Sequence, residues 1–485
     1  MIGSKSGSEL GPTIVSRTDG VAAGITRRAW LGGAAALAMP GVASARRRSA
    51  PSDRVNLAVI GAGGMGAANM MRLTSQNIVA AADPDFDHVA RSFIDRQGAT
   101  IPLRAPLREA YDRATRYADY RRMFDKQRDL DAVLIATPDH HHAIAAKMAM
   151  ERGLHVYVQK PLTYTVREGR LLGDLARRNP KLITQMGNQG HSGHDGRRVV
   201  EIVRGGAIGR VREVHAWTNR PVWPQGIARP APVAKPASLD WDVWLGPATV
   251  NWGYNPDYAH FNWRGWVPFG VGALGDMGAH LLDFPLWALS PGLPTRIESR
   301  HSIWGGDTDL WDGRAPAELG SYPLAGVTYY EFGDAPGGPV RLTWYDGGLM
   351  PPTPPGLPAG VAMSPDGGVL YIGDKGMLMH ETYGEKPVLI GEGVAERAAT
   401  VPQTLLRVAG GRDGHEMNWI SAIRGEAPIS SPFAEAVTLN ETMLLGMVAM
   451  RAGQPIRYDG RAGRITDVTD ANRFLERDYR QGWTP

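Results

Sequence analysis

The sequence predicts an α/β protein with a parallel sheet at its amino-terminal end and a second, strand-rich domain after it. Three observations predict it. Apolar, β-branched runs recur at 55–60, 78–82, 130–136 and 155–158, each short enough for a buried strand. Helix-compatible stretches such as 67–73 and 144–152 separate them, and that alternation implies βαβ units. Later segments, 327–332, 340–345 and 369–372, alternate like half-buried strands.

Composition bounds the rest. The 485 residues leave room for two or three domains. A hydrophobic content of 43% with 21% charged residues is that of a globular chain. Lys+Arg 53 against Asp+Glu 49 gives only +4, spread along the chain, so there is no basic stripe for nucleic acid. The cysteine count is zero, which excludes disulfides, thiolate nucleophiles and thiolate metal sites. No uncharged apolar run reaches the length of a stable membrane span.

The first 45 residues read as an address. Arg27-Arg28 is followed by an aromatic two places on (Trp30), a weakly apolar stretch to Val42, and the A-x-A site Ala43-Ser44-Ala45. This order resembles a Tat export signal, which implies a periplasmic or otherwise extracytoplasmic protein. Residues 46–53 are then a linker. The predicted division continues with a dinucleotide-binding domain over 54–180, a second domain over 181–460 and a tail over 461–485.

In the first domain, the strand ending at Ile60 runs directly into Gly61, Gly63, Gly64, Met65 and Gly66, a G-x-G-x-x-G pattern before a helix. Gly61 permits a tight turn, Gly63 lets backbone approach a pyrophosphate, and Gly66 lets helix and strand pack closely. Asp83 ends the next strand, 22 residues after Gly61, near the spacing for a carboxylate on the adenosine ribose. It favours NAD; Arg91 and Arg96 nearby leave NADP open. This is a Rossmann pattern. Thr137 and Pro138 end another strand, and Lys160 ends the one after. Ligands in parallel sheets sit beyond such strand ends, so these residues predict one shared site. His140, His141 and His142 point in different directions with no spaced partner, so the expectation is a loop and first helical turn beside the cofactor (His141 a contact), with no metal. Asn188, after the strand at 182–186, is a candidate for the nicotinamide amide.

The segments VIGAGGMG (59–66), ATPDHHHA (136–143), VQKPLT (158–163) and GDMGAH (275–280) together resemble the Gfo/Idh/MocA family of oxidoreductases, over roughly residues 54–460. The resemblance implies a Rossmann domain and a C-terminal α/β domain with a large, open, mostly antiparallel sheet, which in the family often mediates homo-oligomers. It implies a nicotinamide cofactor and sugar or cyclitol substrates. Lys160 matches the family's catalytic lysine, and Asp276 and His280 match its D-x-x-x-H acid/base pair. The chemistry is consistent: an ammonium stabilises a developing oxyanion, and an imidazole suits proton transfer near neutrality. Gln159 departs from the glutamate that many members carry before the lysine, so an ion pair beside Lys160 is expected to be missing. Candidate substrate contacts are His191, Arg220, Tyr258, Trp263 and Arg264.

Two proline- and glycine-rich stretches, 221–236 and 350–360, exceed ordinary loop length and read as lids or packing arms. Outside the cytoplasm there is no free nicotinamide pool, so an exported member is expected to hold its cofactor tightly and regenerate it in each cycle. The leading expectation is hydride transfer on a sugar or sugar derivative. The alternatives are redox-neutral glycoside cleavage by oxidation, elimination and reduction, and a non-catalytic protein that retains nucleotide.

Overall fold

Short apolar runs with no Asp, Glu, Lys or Arg form the central strands of the first sheet, because both of their faces are covered. In the computed structural model, which describes residues 54–303 and 320–485, β1 (Asn56–Ile60), β2 (Asn77–Ala82), β3 (Thr115–Tyr117), β4 (Ala132–Ile135), β5 (His155–Val158) and β6 (Thr184–Met186) pair in the order 3-2-1-4-5-6. Every pairing is parallel. Successive residues of β1 serve different cores: Leu57 and Val59 join one hydrophobic cluster and Ala58 and Ile60 the other, as the two-residue period of a strand requires. The order reverses between β1 and β4, which opens a crevice at their carboxyl ends. The twin-arginine segment, its A-x-A site and the 46–53 linker lie outside the described residues.

The second sheet has nine strands. β7 (Val211–Thr218), β8 (Arg296–His301), β9 (Gly326–Phe332), β10 (Val340–Tyr345), β11 (Gly367–Gly373), β12 (Gly376–Glu381), β13 (Val388–Ile390), β14 (Ile456–Asp459) and β15 (Arg464–Ile465) lie in the order 13-12-11-7-10-9-8-14-15. The β7–β10 pair is parallel and the others are antiparallel. The helix Phe433–Ala452 is apolar on nearly every side and has fifteen buried residues; it packs against the helix Val166–Arg178 of the first domain, against β8 and against the helix Gly272–Leu281. That last helix carries Asp276 and His280.

Four expectations change. The boundary at 180 falls too early, because β6 pairs with β5 inside the first sheet. Residues 197–204, whose sequence reads as a basic amphipathic helix with a solvated face, are largely buried instead. The helix spans His194–Arg204, with Arg197 buried against the carbonyls of His191 and Leu406 and Glu201 buried against Arg407. The stretch after 460 is no loose tail. β15 pairs with β14, Arg477 pairs with Glu168, and Trp483 is buried with its ring 5.5 Å from that of His141. The second sheet's outer face is not wholly open either. Residues 346–366 lay Met350, Leu357, Val361 and Met363 over Trp217, Leu370, Met379 and Ile390; farther along, β8 and β9 carry the Arg296–Glu298 and Arg296–Glu331 ion pairs. Among the described residues, no helix is long and apolar enough to cross a membrane.

Candidate functional site

The glycine loop has the shape its sequence predicts. Gly61 adopts φ +79°, and a Cβ there would lie 2.7 Å from the Ala136 carbonyl carbon. At Gly66 a Cβ would sit 1.8 Å from the Gly61 oxygen, so only glycine lets the helix Gly64–Arg72 start this close to β1. The first backbone N–H groups of that helix, unpaired within it, are suited to a phosphate. Asp83 Oδ2 accepts from Gly63 N (3.3 Å) and Oδ1 from Asp85 N (3.0 Å). Burial outweighs these bonds and raises its pKa to about 6.

A cleft of about 310 Å³ lies over these strand ends, lined by Gly61, Gly63, Gly64, Met65, Asp83, Thr137, Pro138, His141 and Lys160. Its opposite wall comes from the other domain: Val243, Trp244, His260, Phe261, Trp263 and Arg264. Several buried polar atoms at or beside the cleft make no hydrogen bond, among them Thr137 Oγ1, Asp139 Oδ1 and His260 Nε2. His260 stacks flat on His88 at 3.8 Å. Its Nε2 is 2.9 Å from Asp85 Oδ2, but off line for a hydrogen bond, and both atoms stay unsatisfied. A glycine cradle, a helix amino terminus, a carboxylate at ribose spacing and unpaired polar atoms are features a dinucleotide fits.

The three histidines fasten the two walls together. They occupy the first turn of the helix Asp139–Glu151. His140 Nδ1 is 3.0 Å from the Phe269 carbonyl, and His141 Nε2 is 3.0 Å from that of Trp244. His142 lies between the carbonyls of Pro161 (2.7 Å) and Thr137 (2.9 Å), which steadies the Lys160-Pro161 turn. Burial pushes all three below the usual histidine range, so the rings are neutral. Among the described residues, no three His, Asp or Glu side chains gather as a metal site.

Lys160 Nζ meets Asp276 twice, at Oδ1 (2.7 Å) and at the backbone oxygen (2.8 Å). Arg264 Nε reaches the same Oδ1 at 3.1 Å. Burial alone would raise Asp276, but the Lys160 and Arg264 charges outweigh it and hold this carboxylate well below its ordinary range. The ammonium therefore has a counter-ion, from the other domain. Gln159 lines the cleft but makes no contact with the ammonium: its Nε2 bonds Asn69 Oδ1 (3.1 Å) and its Oε1 accepts from Lys160 N (3.3 Å), so the ion pair expected to be missing is supplied by Asp276. His280 follows one turn after Asp276 on the same helix. Burial, and then the Lys160 charge, push it down to about 3. It is buried edge-on to Tyr383, its Nδ1 has no partner, and it lies behind the cleft and not among its lining residues.

Other candidates lie elsewhere. Asn188 and His191 do not face the cleft. Both bond Asp283 (3.1 and 3.0 Å) and line a second cavity, because a turn of 3₁₀ helix at Gln189–Ser192 rolls them to the far side. Tyr258 is buried in the aromatic core of the 239–269 segment, with no access to substrate. Arg220 bonds its neighbour Asn219 and does not line the cleft. Trp263 and Arg264 do line it. Two residues that no motif singled out also belong here. His88 lines the cleft, its ring packed over Gly63 and stacked on His260. Asp139 donates nothing but accepts from Val271 N (3.2 Å), at the start of the helix that carries Asp276; burial raises it to about 7, against the Arg264 and Lys160 charges.

Comparison with known proteins agrees with this geometry. Residues 55–187 match an oxidoreductase-family NAD-binding Rossmann fold, and residues 205–292 match that family's C-terminal alpha/beta domain. A glycosyl hydrolase family 109 protein from Shewanella sp. (strain ANA-3) is 30% identical over 179 residues, 33% of this chain and 38% of that protein. Levoglucosan dehydrogenase from Pseudarthrobacter phenanthrenivorans is 24% identical over 60% of this chain and 62% of its own length. The chain thus matches less than two thirds of these relatives. Among solved structures, the WlbA dehydrogenase from Bordetella pertussis, in complex with NADH and UDP-GlcNAcA, superposes with a TM-score of 0.55 at 14% identity, over 84% of this chain and 99% of that one; at that identity the likeness is one of fold. The chain carries the NAD-binding Rossmann domain and the C-terminal α/β domain of the Gfo/Idh/MocA oxidoreductase family.

Proposed function

We propose that this chain is an NAD-dependent oxidoreductase acting on a secondary alcohol of a sugar or sugar derivative. One observation carries the reading. The Lys160 ammonium lines the same cleft as the glycine loop, and its counter-ion comes from the second domain. A bound nicotinamide would supply the hydride acceptor and donor. Lys160 uses two of its three N–H groups on Asp276 and has one left for the substrate oxygen, where its charge stabilises an oxyanion. Asp276 holds the ammonium in place. His280, neutral and with an unclaimed Nδ1 but outside the cleft lining, is the proposed proton acceptor, reached from the substrate hydroxyl through one bridging water. A weakly basic imidazole works there only with Lys160 lowering the pKa of the hydroxyl.

Replacing Lys160 by Met should lower single-turnover change in nicotinamide absorbance by about 1,000-fold, the scale of losing an oxyanion donor. His280→Asn should lower it by about 100-fold, the scale of losing a general base. If both variants react at the wild-type rate, the assignment is wrong.

A second reading draws on the family 109 relatives and on the two-walled cleft, which favours a nucleotide that stays bound. In it, the same residues run a redox-neutral cycle that cleaves a glycoside. Aryl glycosides decide: phenol release without net nicotinamide reduction supports cleavage, and net reduction without phenol supports the dehydrogenase. The twin-arginine segment supports export by the Tat route, and fractionation of cells producing the full chain tests it.

A further inference from the structure

We infer that the substrate carries a carboxylate, received by Arg264, so that the class is an acidic sugar such as a uronic acid derivative. The inference rests on the oxidoreductase reading of the cleft and concerns its charge balance. Lys160 and Arg264 are both largely buried, and both take the same oxygen of Asp276. Two cations on one carboxylate leave a surplus of one positive charge in a place that water reaches poorly, which is costly until an anion joins them. The other carboxylate near this cluster is Asp139. Its buried position raises it to about 7, and it already accepts from Val271 N, so it offsets the surplus only partly. The dinucleotide's pyrophosphate has its own donors at the glycine loop and the helix amino terminus.

Arg264 is also held ready. Nε is fixed by Asp276, and Nη1 by the Phe261 carbonyl at 2.8 Å. The guanidinium lies 4.2 Å from the Trp263 ring centre and 4.7 Å from that of Phe261, so its plane is set by packing. Nη2 has no hydrogen bond to any described residue, and Arg264 lines the cleft. A planar fork with an open edge matches a carboxylate, while the adjoining indole offers an apolar face to a pyranose ring.

The test uses the nucleotide-loaded chain with a hexuronic acid glycoside, its neutral hexose counterpart and the hexose 6-phosphate. Binding is read by calorimetry and turnover by nicotinamide absorbance or glycoside cleavage. The acid should bind about 10- to 100-fold more tightly than the neutral sugar, the scale of a charge-assisted, two-point hydrogen bond. Arg264→Gln should bring the two within about threefold by weakening the acid, and Arg264→Lys should keep part of the preference. Equal binding of acid and neutral sugar overturns the inference. So does a preference for the phosphate, an equal loss for both sugars in Arg264→Gln, or nucleotide loss in that variant, which would make the pyrophosphate its partner. Tight uronate binding without any turnover would instead count against the oxidoreductase reading and leave this one standing.

Discussion

Two long loops rich in proline and glycine leave the second sheet, and they do different work. The first, residues 219–271, builds a core of its own: Trp266 and Phe269 are fully buried, Trp241 stacks on Trp244 at 4.5 Å, and Trp252 meets Trp266 edge-on. It then fastens to the other domain through backbone and imidazole groups. Asp240 N donates to the Pro84 carbonyl at 2.8 Å, and the Trp244 carbonyl faces His140 and His141. The second, residues 346–366, is lined by methionine and aliphatic side chains, and its tertiary hydrogen bonds return to the sheet it left, mostly to β7 and the residues just after it, as from Trp217 Nε1 to the Ser364 carbonyl (2.8 Å) and from Asn219 Nδ2 to Asp366 (2.8 Å). A self-supporting aromatic segment with polar anchors on a second sheet makes a wall of a binding cleft. A segment without its own core only covers the sheet it came from.

Stability and nucleotide retention should therefore separate between the two loops. Trp266→Ala and Trp217→Ala each remove a fully buried indole and should each cost about 3–5 kcal/mol in urea denaturation. Trp266→Ala alone should also release bound nucleotide under folding conditions. Equal release from Trp217→Ala would erase the distinction.

A smaller effect comes from one buried carboxyl in each region. Asp139 stands by the cleft, and Asp346 begins the second loop, accepting from Trp344 Nε1 at 2.9 Å. Burial raises each from 3.8 to about 7. A raised carboxyl binds its proton more tightly folded than unfolded, so its contribution is fully present below the unfolded value and is lost as pH rises from about 4 through 7. Asp139→Asn and Asp346→Asn should each flatten that fall and gain up to a few kcal/mol over wild type at pH 8, on the order of the shift itself. Only Asp139→Asn should also change hydride-transfer kinetics. A wild-type urea midpoint that climbs between pH 4 and 7 would contradict the sign.

Which parts were legible in the sequence follows the range of the forces involved. The Gly61–Gly66 turn, the strand ends at Asp83, Thr137 and Lys160, and the alternation of β9 are set by neighbours within a few residues, and they read correctly, whereas β11 is buried along both faces because residues 346–366 cover it. The Lys160–Asp276 contact spans 116 residues, and only the family resemblance brought its members together. Asn188 and His191 have the right chemistry for a cleft, but a single 3₁₀ turn decides which side they face, and nothing in residue type encodes that turn. Arg197 and Glu201 read as a solvated face because their partners, Leu406 and Arg407, lie some 200 residues on. Gln159 looked like a lost ion pair because the direction of its side chain is set by Asn69, on a different helix.

The smallest separation comes from single anchors of the two loops. His260 belongs to the first; its ring lies flat on His88, and its Nε2 faces Asp85 without a proper hydrogen bond. Burial, and not any charge, is the main reason it is held below the usual histidine range, so it closes the cleft as a neutral, flat surface. His260→Ala removes that surface but no well-formed bond. The folded chain should lose no more than about 1 kcal/mol, as for a partly exposed contact, while bound nucleotide leaves about tenfold faster, a difference of about 1.4 kcal/mol in the barrier. Asn219→Ala, at the foot of the second loop, should show the reverse: about 1 kcal/mol lost with its side-chain hydrogen bond to Asp366, and an unchanged release rate. Stopped-flow release of nucleotide, beside urea midpoints of the same samples, reads both. If His260→Ala holds nucleotide as long as wild type does, the first loop is a cover like the second, and retention rests with the glycine loop alone.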